Sequence, residues 1–384
     1  MSTRVFDLAV IGAGIVGLAH ALAAARRGLR VVVIDRDAAA NGASIRNFGF
    51  VTVTGQQAGA CWSRAMRSRD VWAEVAPEAG IRVEHAGLCA VARRPEARGV
   101  LEAFLTTEMG RTCRLLEPRE AAAKGPLLKR GAIAAALWSP HELRVESREA
   151  VPRLAAWLEV ARGVTFLRST LVKDVAVPVI TTTRGPVHAG CVVVCPGHDF
   201  LSLFPERIAA YGLTTCKLQM LRVMPANPSA RLGTAVMSDL GFVRYLGYAE
   251  LPEAEALKQR LRTEQAAHLA HGVHLIAVQS ADGSLVVGDS HHYGETLDPF
   301  AATSIDDLIL DELDAVLDLP GRTVSARWTG VYASAGDRLM LVDSPSDGVR
   351  IVIVTSGTGA STAFAIGEEV ISELFGSTTG GVSA

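Results

Sequence analysis

The chain has 384 residues, 49% of them hydrophobic, and a formal net charge of −2. That length suits two domains and a large core, and the near-neutral charge leaves no footprint for nucleic acid or an anionic membrane surface. Six cysteines (Cys61, Cys89, Cys113, Cys191, Cys195 and Cys216) are scattered without a C-x-x-C pair or a metal-ligand spacing. Buried free thiols in a reducing compartment, and no metal, are therefore expected. Glycines at 12, 14 and 17 interrupt the first apolar run, so no signal peptide is expected, and no run is long enough to span a bilayer. The expectation is a cytoplasmic protein without integral membrane association.

Residues 5–11 read as a short, mostly apolar strand. Residues 15–27 read as an alanine-rich helix without proline, closed by Gly28 as a C-terminal cap. Val31–Ile34 is a fully apolar strand that runs into Asp35. Strand, glycine turn, helix and strand make one βαβ unit. Farther on, 56–75, 95–110 and 147–160 have helical character, with Ser147 as the expected N-cap of the last. Residues 164–168 and 191–195 read as strands, the second leading into Pro196-Gly197. After Tyr211 the pattern turns to β, with strand candidates at 218–223, 242–248, 273–279 and 284–288 and a polar helical stretch at 253–270. From 349 the pattern becomes strand (349–355), glycine turn (356–359) and helix (362–375). The small, polar tail, 376–384, is expected to fray.

The segment Gly12-Ala13-Gly14-Ile15-Val16-Gly17 carries the chemistry of the N-terminal unit. An apolar strand precedes it, a helix follows, and Asp35 closes the second strand, which is the full context of a dinucleotide fingerprint. Gly12 permits the tight turn, Gly14 lets a pyrophosphate approach the backbone, and Gly17 lets the helix pack against the strand. The helix N-terminus offers free N–H groups to phosphate, and Asp35 would accept hydrogen bonds from the adenosine ribose. FAD and NAD both carry that ribose. FAD is favoured by the position of the motif near residue 1, by the second glycine-rich segment from Asn41 to Gly49, and by the turn Ser356-Gly357-Thr358-Gly359, whose helix N-terminus could stabilise charge on a reduced flavin. The expected fold class is α/β with two domains. A discontinuous Rossmann-type FAD-binding domain takes 1–80, 147–212 and 330–384, and an inserted β-sheet substrate domain takes 81–146 and 213–329.

These segments together resemble the D-amino acid oxidase / glycine oxidase / sarcosine oxidase (DAO) family of FAD enzymes. The resemblance spans most of the chain: the fingerprint from Asp7 to Asp35, residues 43–49, Val192-Val193-Val194-Cys195-Pro196-Gly197, residues 328–343 and residues 352–368. It implies a glycine-oxidase-like fold and an FAD cradle of five parts. These are Gly12, Gly14, Ile15, Val16 and Gly17 with Asp35 and Arg36; Ser44, Arg46, Asn47, Phe48 and Gly49; Val172 with Cys195, Pro196 and Gly197; Gly330; and Gly357, Thr358, Gly359, Ala360, Ser361 and Thr362. It implies removal of a hydride equivalent from the carbon beside a primary or secondary amine to flavin N5, by an oxidase or a dehydrogenase, and hydrolysis of the imine. The implied partners are a small-molecule amine substrate and O2 or another electron acceptor; a homo-oligomer is possible.

Within the family, residues 139–148, 216–222 and 282–291 resemble a subgroup associated with organophosphonate breakdown. That implies 2-aminoethylphosphonate or its N-methyl derivative as substrate. Gly330 stands where sarcosine-oxidase-type members carry the cysteine that anchors flavin, which implies non-covalent FAD. Tyr332 stands near the carboxylate-clamping arginine of glycine and D-amino acid oxidases, and a phenol cannot replace a guanidinium fork. Ser361 replaces a substrate-binding lysine of sarcosine oxidases, and Val286 falls near their oxygen-activating lysine.

Four residues are candidates for contact with substrate: Tyr332, Arg244, Tyr248 and Arg46. Strand period over 242–248 puts Arg244 and Tyr248 on one face and Tyr245 on the other. Arg46 could clamp an anion or pack on the FAD phosphates. His141, Arg144 and Arg148 form a basic cluster that could hold a phosphonate or simply pair with nearby glutamates. Lys217 could reach the flavin edge. His291-His292 invites a metal reading, but adjacent strand residues face opposite ways. The alternatives are a glycine, sarcosine or D-amino acid oxidase and a non-catalytic FAD-binding subunit. A flavin monooxygenase lacks its second dinucleotide fingerprint here, and an NAD-linked dehydrogenase is disfavoured by the C-terminal glycine turn.

Overall fold

In the computed structural model, which describes residues 5–376, the βαβ unit forms where its hydrophobic pattern places it: Val5–Ile11, Ile15–Arg26 and Val31–Ile34. The two strands pair in parallel, from Leu8 against Val31 to Ile11 against Ile34. Gly185–Val194 adds in parallel beside the first strand, Val349–Val354 beside Gly185–Val194, and Thr165–Leu167 beside the second strand. Met340–Ser346 pairs antiparallel at one edge, and the hairpin Val172–Ala176 and Val179–Thr182 joins the start of Gly185–Val194. Alternation along the strands splits the core. Leu8, Val10, Val31, Val33 and Val193 meet the helices on one face. Ala9, Val32, Ile34, Val192 and Val194 meet the hairpin, Leu203 and Ile208 on the other.

The helical layer is tight. Ile15–Arg26 lies against the C-terminal helix Gly359–Phe375, and a Cβ at Gly367 would sit 2.8 Å from the Ala19 carbonyl carbon. Trp72, from Ala60–Glu78, stands edge-on to Phe364 at 5.1 Å, and its indole nitrogen donates to the Ala360 carbonyl at 2.8 Å. His20 is wholly buried in this layer, 2.7 Å from the Val16 carbonyl through Nδ1, and burial lowers its pKa to about 4. The unfolded chain therefore takes up the proton first. The stability this provides is complete above about 6.5, the unfolded value, and falls away towards pH 4, by at most about 3 kcal/mol. His20→Gln is accordingly expected to flatten the loss of thermal stability between pH 7 and pH 4.5, read by calorimetry against the parent protein.

The second sheet has ten strands. Its path runs His292–Gly294, Thr214–Met224, Leu285–Gly288, Ile276–Gln279, Ala235–Ser238, Val83–Ala92, Ala135–Val145 and Phe50–Val51. Thr323–Ser334 pairs along Thr214–Met224, and Arg114–Leu116 along Ala135–Val145. Leu88, Ala90, Cys216, Leu218, Ile276 and Val278 form one face, under Pro95–Leu105 and Ala254–Glu264. Cys89, Val91, Leu221, Val223, Leu275 and Ala277 form the other, over Thr303–Val316.

The structure differs from the sequence expectation in several places. Residues 242–248 are not a strand: Asp239–Val243 is a 3-10 turn and Leu246–Ala249 a short helix. Local bonds from Tyr245 N to the Gly241 carbonyl (2.9 Å) and Ala249 N to the Tyr245 carbonyl (2.8 Å) replace a ladder there. The stretch 253–270 breaks at Gln265 into Ala254–Glu264 and Ala266–Ala270. Ser147 is not an N-cap; Glu146 takes that place, and the Ser147 hydroxyl donates to Asn47 Oδ1 at 2.8 Å. The tail expected to fray lies, from 377 on, outside the described residues.

We propose the division into two domains on sheet membership. The first sheet draws on 5–34, 165–194 and 340–354, the second on 50–51, 83–145, 214–294 and 323–334. This shifts two expected boundaries: Phe50–Val51 joins the second sheet, and position 330 falls inside the strand Thr323–Ser334. Among the described residues no helix is long and apolar enough to cross a membrane.

Candidate functional site

Ile11, Ile34, Val194 and Val354, the last residues of four parallel strands, open onto one cavity of about 540 Å³. Crevices of open α/β sheets form at such carboxyl ends. The fingerprint makes one wall. Gly12 has φ +103°, and a Cβ there would strike the Cys195 carbonyl; a Cβ at Gly17 would fall onto the Gly12 carbonyl oxygen. Ile15 N donates to Ser44 Oγ at 2.9 Å, and a Cβ at Gly14 would meet the same oxygen at 3.0 Å. The Asp35 carboxylate accepts from Ala13 N (2.6 Å) and Asp37 N (2.8 Å) at the cavity edge. Val16, Val172, Cys195, Pro196 and Gly197 also line it, as does Arg36, whose guanidinium is taken by Asp199 at 2.6 Å.

Ser44, Arg46, Asn47 and Phe48 form the opposite lip. Asn47 braces it, donating to the Ala43 carbonyl at 2.7 Å and accepting from Gly49 N at 2.7 Å. Gly49 itself lies behind the lip against the Val145 carbonyl, so its part is to shape the turn. The lip is tied to Thr323–Ser334 by Trp328 Nε1, which donates to the Arg46 carbonyl at 3.2 Å. A Cβ at Gly330 would already sit 3.0 Å from that carbonyl oxygen. At the C-terminal turn, Gly357 (φ +72°) packs on the Tyr332 ring, and Gly357, Thr358, Gly359, Ala360 and Ser361 line the cavity. Ser361 Oγ accepts from Thr52 N at 3.0 Å. Thr362 donates to the Thr358 carbonyl at 3.0 Å, one turn into the helix and off the cavity. This donor set fits FAD: a glycine turn at a helix N-terminus for pyrophosphate, a carboxylate for ribose hydroxyls, and a second helix N-terminus for charge on the flavin ring.

Arg244, Tyr245, His274, Asp289, His291, Tyr293 and Tyr332 line one part of the cavity, with His274 and Asp289 buried and Tyr293 exposed. Arg244 Nη2 donates to the Tyr293 hydroxyl at 3.0 Å. Burial opposes the charge on Arg244, but the hydrogen bond to Tyr293 and the nearby Asp289 carboxylate favour it, and its pKa stays above the ordinary value. Burial holds the Tyr332 phenol protonated. Sequence reasoning brought Arg46, Arg244 and Tyr332 to this cavity but missed Tyr245, His274, Asp289 and Tyr293. Asp289 and His291, two apart in an extended stretch, carried a readable signal; His274 carried none.

Tyr248 is a correction. With residues 242–248 coiled rather than extended, its ring turns inward between Phe104 (4.7 Å) and Phe242 (5.0 Å), and Tyr245 takes the cavity side. The Tyr248 hydroxyl is buried without a hydrogen-bond partner, so Tyr248→Phe should remove a desolvated group at no cost. Its kcat/KM is expected to stay within about twofold of the parent and its melting temperature not to fall.

The basic cluster also lies elsewhere. Arg144 is buried and pairs with Glu146 at 3.2 Å, Arg222 reaches the same carboxylate at 3.3 Å, and His141 Nε2 faces Thr112. Burial opposes the Glu146 charge, but Arg144, Ser280, Arg222 and Arg148 hold its pKa at about 2. Arg148 is exposed on the outer side of Glu146. Lys217 donates to the Asp298 and Phe300 carbonyls, and Val286 is a core residue. His291 turns to Asp289, while His292 turns away to His271 at 3.0 Å.

The family model for FAD dependent oxidoreductases (DAO) matches residues 7–373. No curated protein matches the chain significantly. Among solved structures, glycine oxidase from Geobacillus kaustophilus aligns with a TM-score of 0.77 at 20% identity, over 98% of this chain and 96% of its own. L-proline dehydrogenase from P. horikoshii aligns with a TM-score of 0.77 at 20% identity, over 97% and 94%. L-alpha-glycerophosphate oxidase from Mycoplasma pneumoniae, solved with FAD bound, aligns with a TM-score of 0.73 at 16% identity, over 97% and 95%. With glycine turn, acid and crevice in place and the family model matched from residue 7 to 373, this chain belongs to the DAO family of FAD-dependent oxidoreductases.

Proposed function

We propose that the chain oxidises a small primary or secondary amine that carries an anionic group, with its FAD held non-covalently. The observation that carries the reading is Arg244: a guanidinium on the cavity wall that makes no ion pair among the described residues. Tyr332, where glycine and D-amino acid oxidases resemble this chain but carry their clamping arginine, leaves the anion to a cation from another element, and Arg244 meets that need. Arg46, bonded through Nη2 only to Asn41, is the second such cation on the wall.

Bound FAD supplies the acceptor for the hydride equivalent that leaves the carbon beside the amine. The protein's own part is placement. Arg244 fixes the anionic end, and the half-buried Tyr332 offers its protonated hydroxyl beside the Gly357 turn. Phe48, Leu218 and Ile276 supply apolar walls that keep water from the reacting carbon. Gly330, pressed on the Arg46 carbonyl, has no side chain to bond the flavin. Neighbours named glycine oxidase and L-proline dehydrogenase support amino compounds as the class. The resemblance of residues 139–148, 216–222 and 282–291 to the phosphonate subgroup puts 2-aminoethylphosphonate and its N-methyl derivative first. The six unpaired cysteines support work in the reducing cytoplasm.

The test is anaerobic bleaching of the purified flavoprotein with 2-aminoethylphosphonate, its N-methyl form, glycine, sarcosine and D-amino acids. Rapid bleaching by the phosphonates alone is the expected result. Bleaching by glycine or sarcosine in preference would replace the phosphonate with a carboxylate. No bleaching of a flavin-replete sample by any of them would sink the amine reading.

A further inference from the structure

This part of the cavity wall holds opposite charges that do not pair with each other. Arg244 spends Nη2 on the Tyr293 hydroxyl, and Asp289 is not among its ion-pair partners. Asp289 lies between two histidines instead: Oδ1 is 3.2 Å from His274 Nδ1 and Oδ2 is 3.8 Å from His291 Nε2. The three side chains are 8% exposed or less, yet all line the cavity. Asp289 Oδ1 and both ring nitrogens of His274 are buried without a hydrogen-bond partner. Unsatisfied buried polar atoms are rare, and several in one cluster on a cavity wall point to a polar ligand.

We infer that this part of the cavity takes a zwitterion, with its ammonium on Asp289, backed by His274 and His291, and its anionic group on Arg244. The inference deepens the reading of the same site as an amine site and rests on it. An ammonium has three donors, and Asp289 Oδ1 and a His274 ring nitrogen are acceptors that the fold leaves unused. The same three side chains bring ligand atoms within 4.8 Å of one another, close enough for a metal. However, the Arg244 charge bears on all three, which disfavours a bare dication. A zwitterion adds no net charge and satisfies both poles.

The surroundings make Asp289 the group that titrates. Burial raises its pKa to about 7, against the pull of Arg244. Burial, with the Arg244 charge, keeps His274 and His291 neutral, and burial keeps Tyr245, Tyr332 and Cys216 protonated. Tyr293 faces Arg244, His292 pairs with His271, and Lys217 is taken by main-chain carbonyls. An ammonium requires the ionised carboxylate. Below about pH 7 binding must therefore expel a proton, and affinity should rise with pH up to that point and level off above it.

The experiment uses the oxidised holoenzyme under anaerobic conditions and reads perturbation of the flavin absorbance, not turnover. The probes are taurine and homotaurine as zwitterions, ethanesulfonate as the anion alone and ethylamine as the cation alone. Taurine or homotaurine is expected to bind at least about tenfold more tightly than either half. Asp289→Asn should weaken the zwitterion by about tenfold or more, leave ethanesulfonate within about twofold, and abolish the pH dependence. His274→Gln should shift the pH midpoint. Equal binding of zwitterion and ethanesulfonate overturns the inference, as does equal weakening of both by Asp289→Asn, or no perturbation by either zwitterion. If the Asp289 variant does not retain flavin, a flat profile for the parent between about pH 6 and 8 overturns it. A protein that binds zwitterions in this way but bleaches with no amine keeps this inference and loses the oxidation reading.

Discussion

Gly17→Val is expected to give a protein with less than about a tenth of the parent's FAD, because the overpacked turn cannot hold its shape. A Cβ at this position would fall onto the Gly12 carbonyl oxygen, 3.0 Å from the Gly12 carbonyl carbon and 3.2 Å from Val10 Cγ1. Two of those atoms are backbone at the end of a central parallel strand. They cannot yield, since Gly12 N is bonded to the Ile34 carbonyl and Cys195 N to the Ile11 carbonyl, both at 2.8 Å. The helix Ile15–Arg26 must move instead, and its N-terminus would withdraw from the crevice it serves. Overpacking of this kind costs about 1–3 kcal/mol in folding, so the melting temperature should fall as well. Gly99→Ala, in the helix Pro95–Leu105 and away from the cavity, is the control: a Cβ there meets nothing within 4 Å, and flavin content should hold. The measurement is flavin released per protein, with circular dichroism to show that the variant is folded. A folded Gly17 variant with a full complement of FAD would break the link between the close helix–strand contact and cofactor binding.

The N-terminal unit was legible because local and global signals agree there. Val31–Ile34 is apolar throughout because both faces of the strand are buried, and the glycine turn needs no distant partner to define it. The substrate sheet was less legible. Val83–Ala92 and Ala135–Val145 went unread because their irregular apolar patterns are set by neighbours far away in sequence. The stretch 242–248 misled for the same reason. Its aromatic and β-branched residues suit a strand, but Gly247 packs on the Gly55 and Gln56 backbone and Tyr248 fills a hole between Phe104 and Phe242. Arg244 still reached the cavity, and Tyr248 did not. The basic cluster at 141–148 looked like a clamp because sequence shows charge but not depth. Arg144 sinks into a buried network with Glu146, Arg222 and Ser280. The group of His274, Asp289 and His291 depends on a turn at Gly272 and a chain reversal between two strands, which no spacing rule reports.

Arg244→Met is expected to lower kcat/KM for an anionic amine by about 10²–10³-fold, with the loss mainly in KM and the flavin content unchanged. A charge-assisted fork in a desolvated site is worth about 3–4 kcal/mol, and each 1.4 kcal/mol is about tenfold. Methionine keeps the length and apolar stem of the side chain, so the change removes the cation and the bond to Tyr293 with little effect on packing. Arg244→Lys should fall between, at about a tenfold loss, because a single ammonium keeps the charge but not the planar fork. The Arg244 charge itself persists across the physiological pH range, since the surroundings hold its pKa above the ordinary value, but the loss should be larger near pH 7 than at higher pH, because without the pull of Arg244 the Asp289 carboxylate ionises only at higher pH. Two comparisons fix the meaning. A neutral amine of similar size, if oxidised at all, should lose little in Arg244→Met, because it never used the guanidinium. Arg46→Met should cost flavin as well as substrate affinity, because Arg46 sits in the lip that Trp328 and Asn47 hold over the cavity. If Arg244→Met slows neutral and anionic amines alike, Arg244 shapes the cavity wall and the anion is held elsewhere, with Arg46 the remaining unpaired cation to change next.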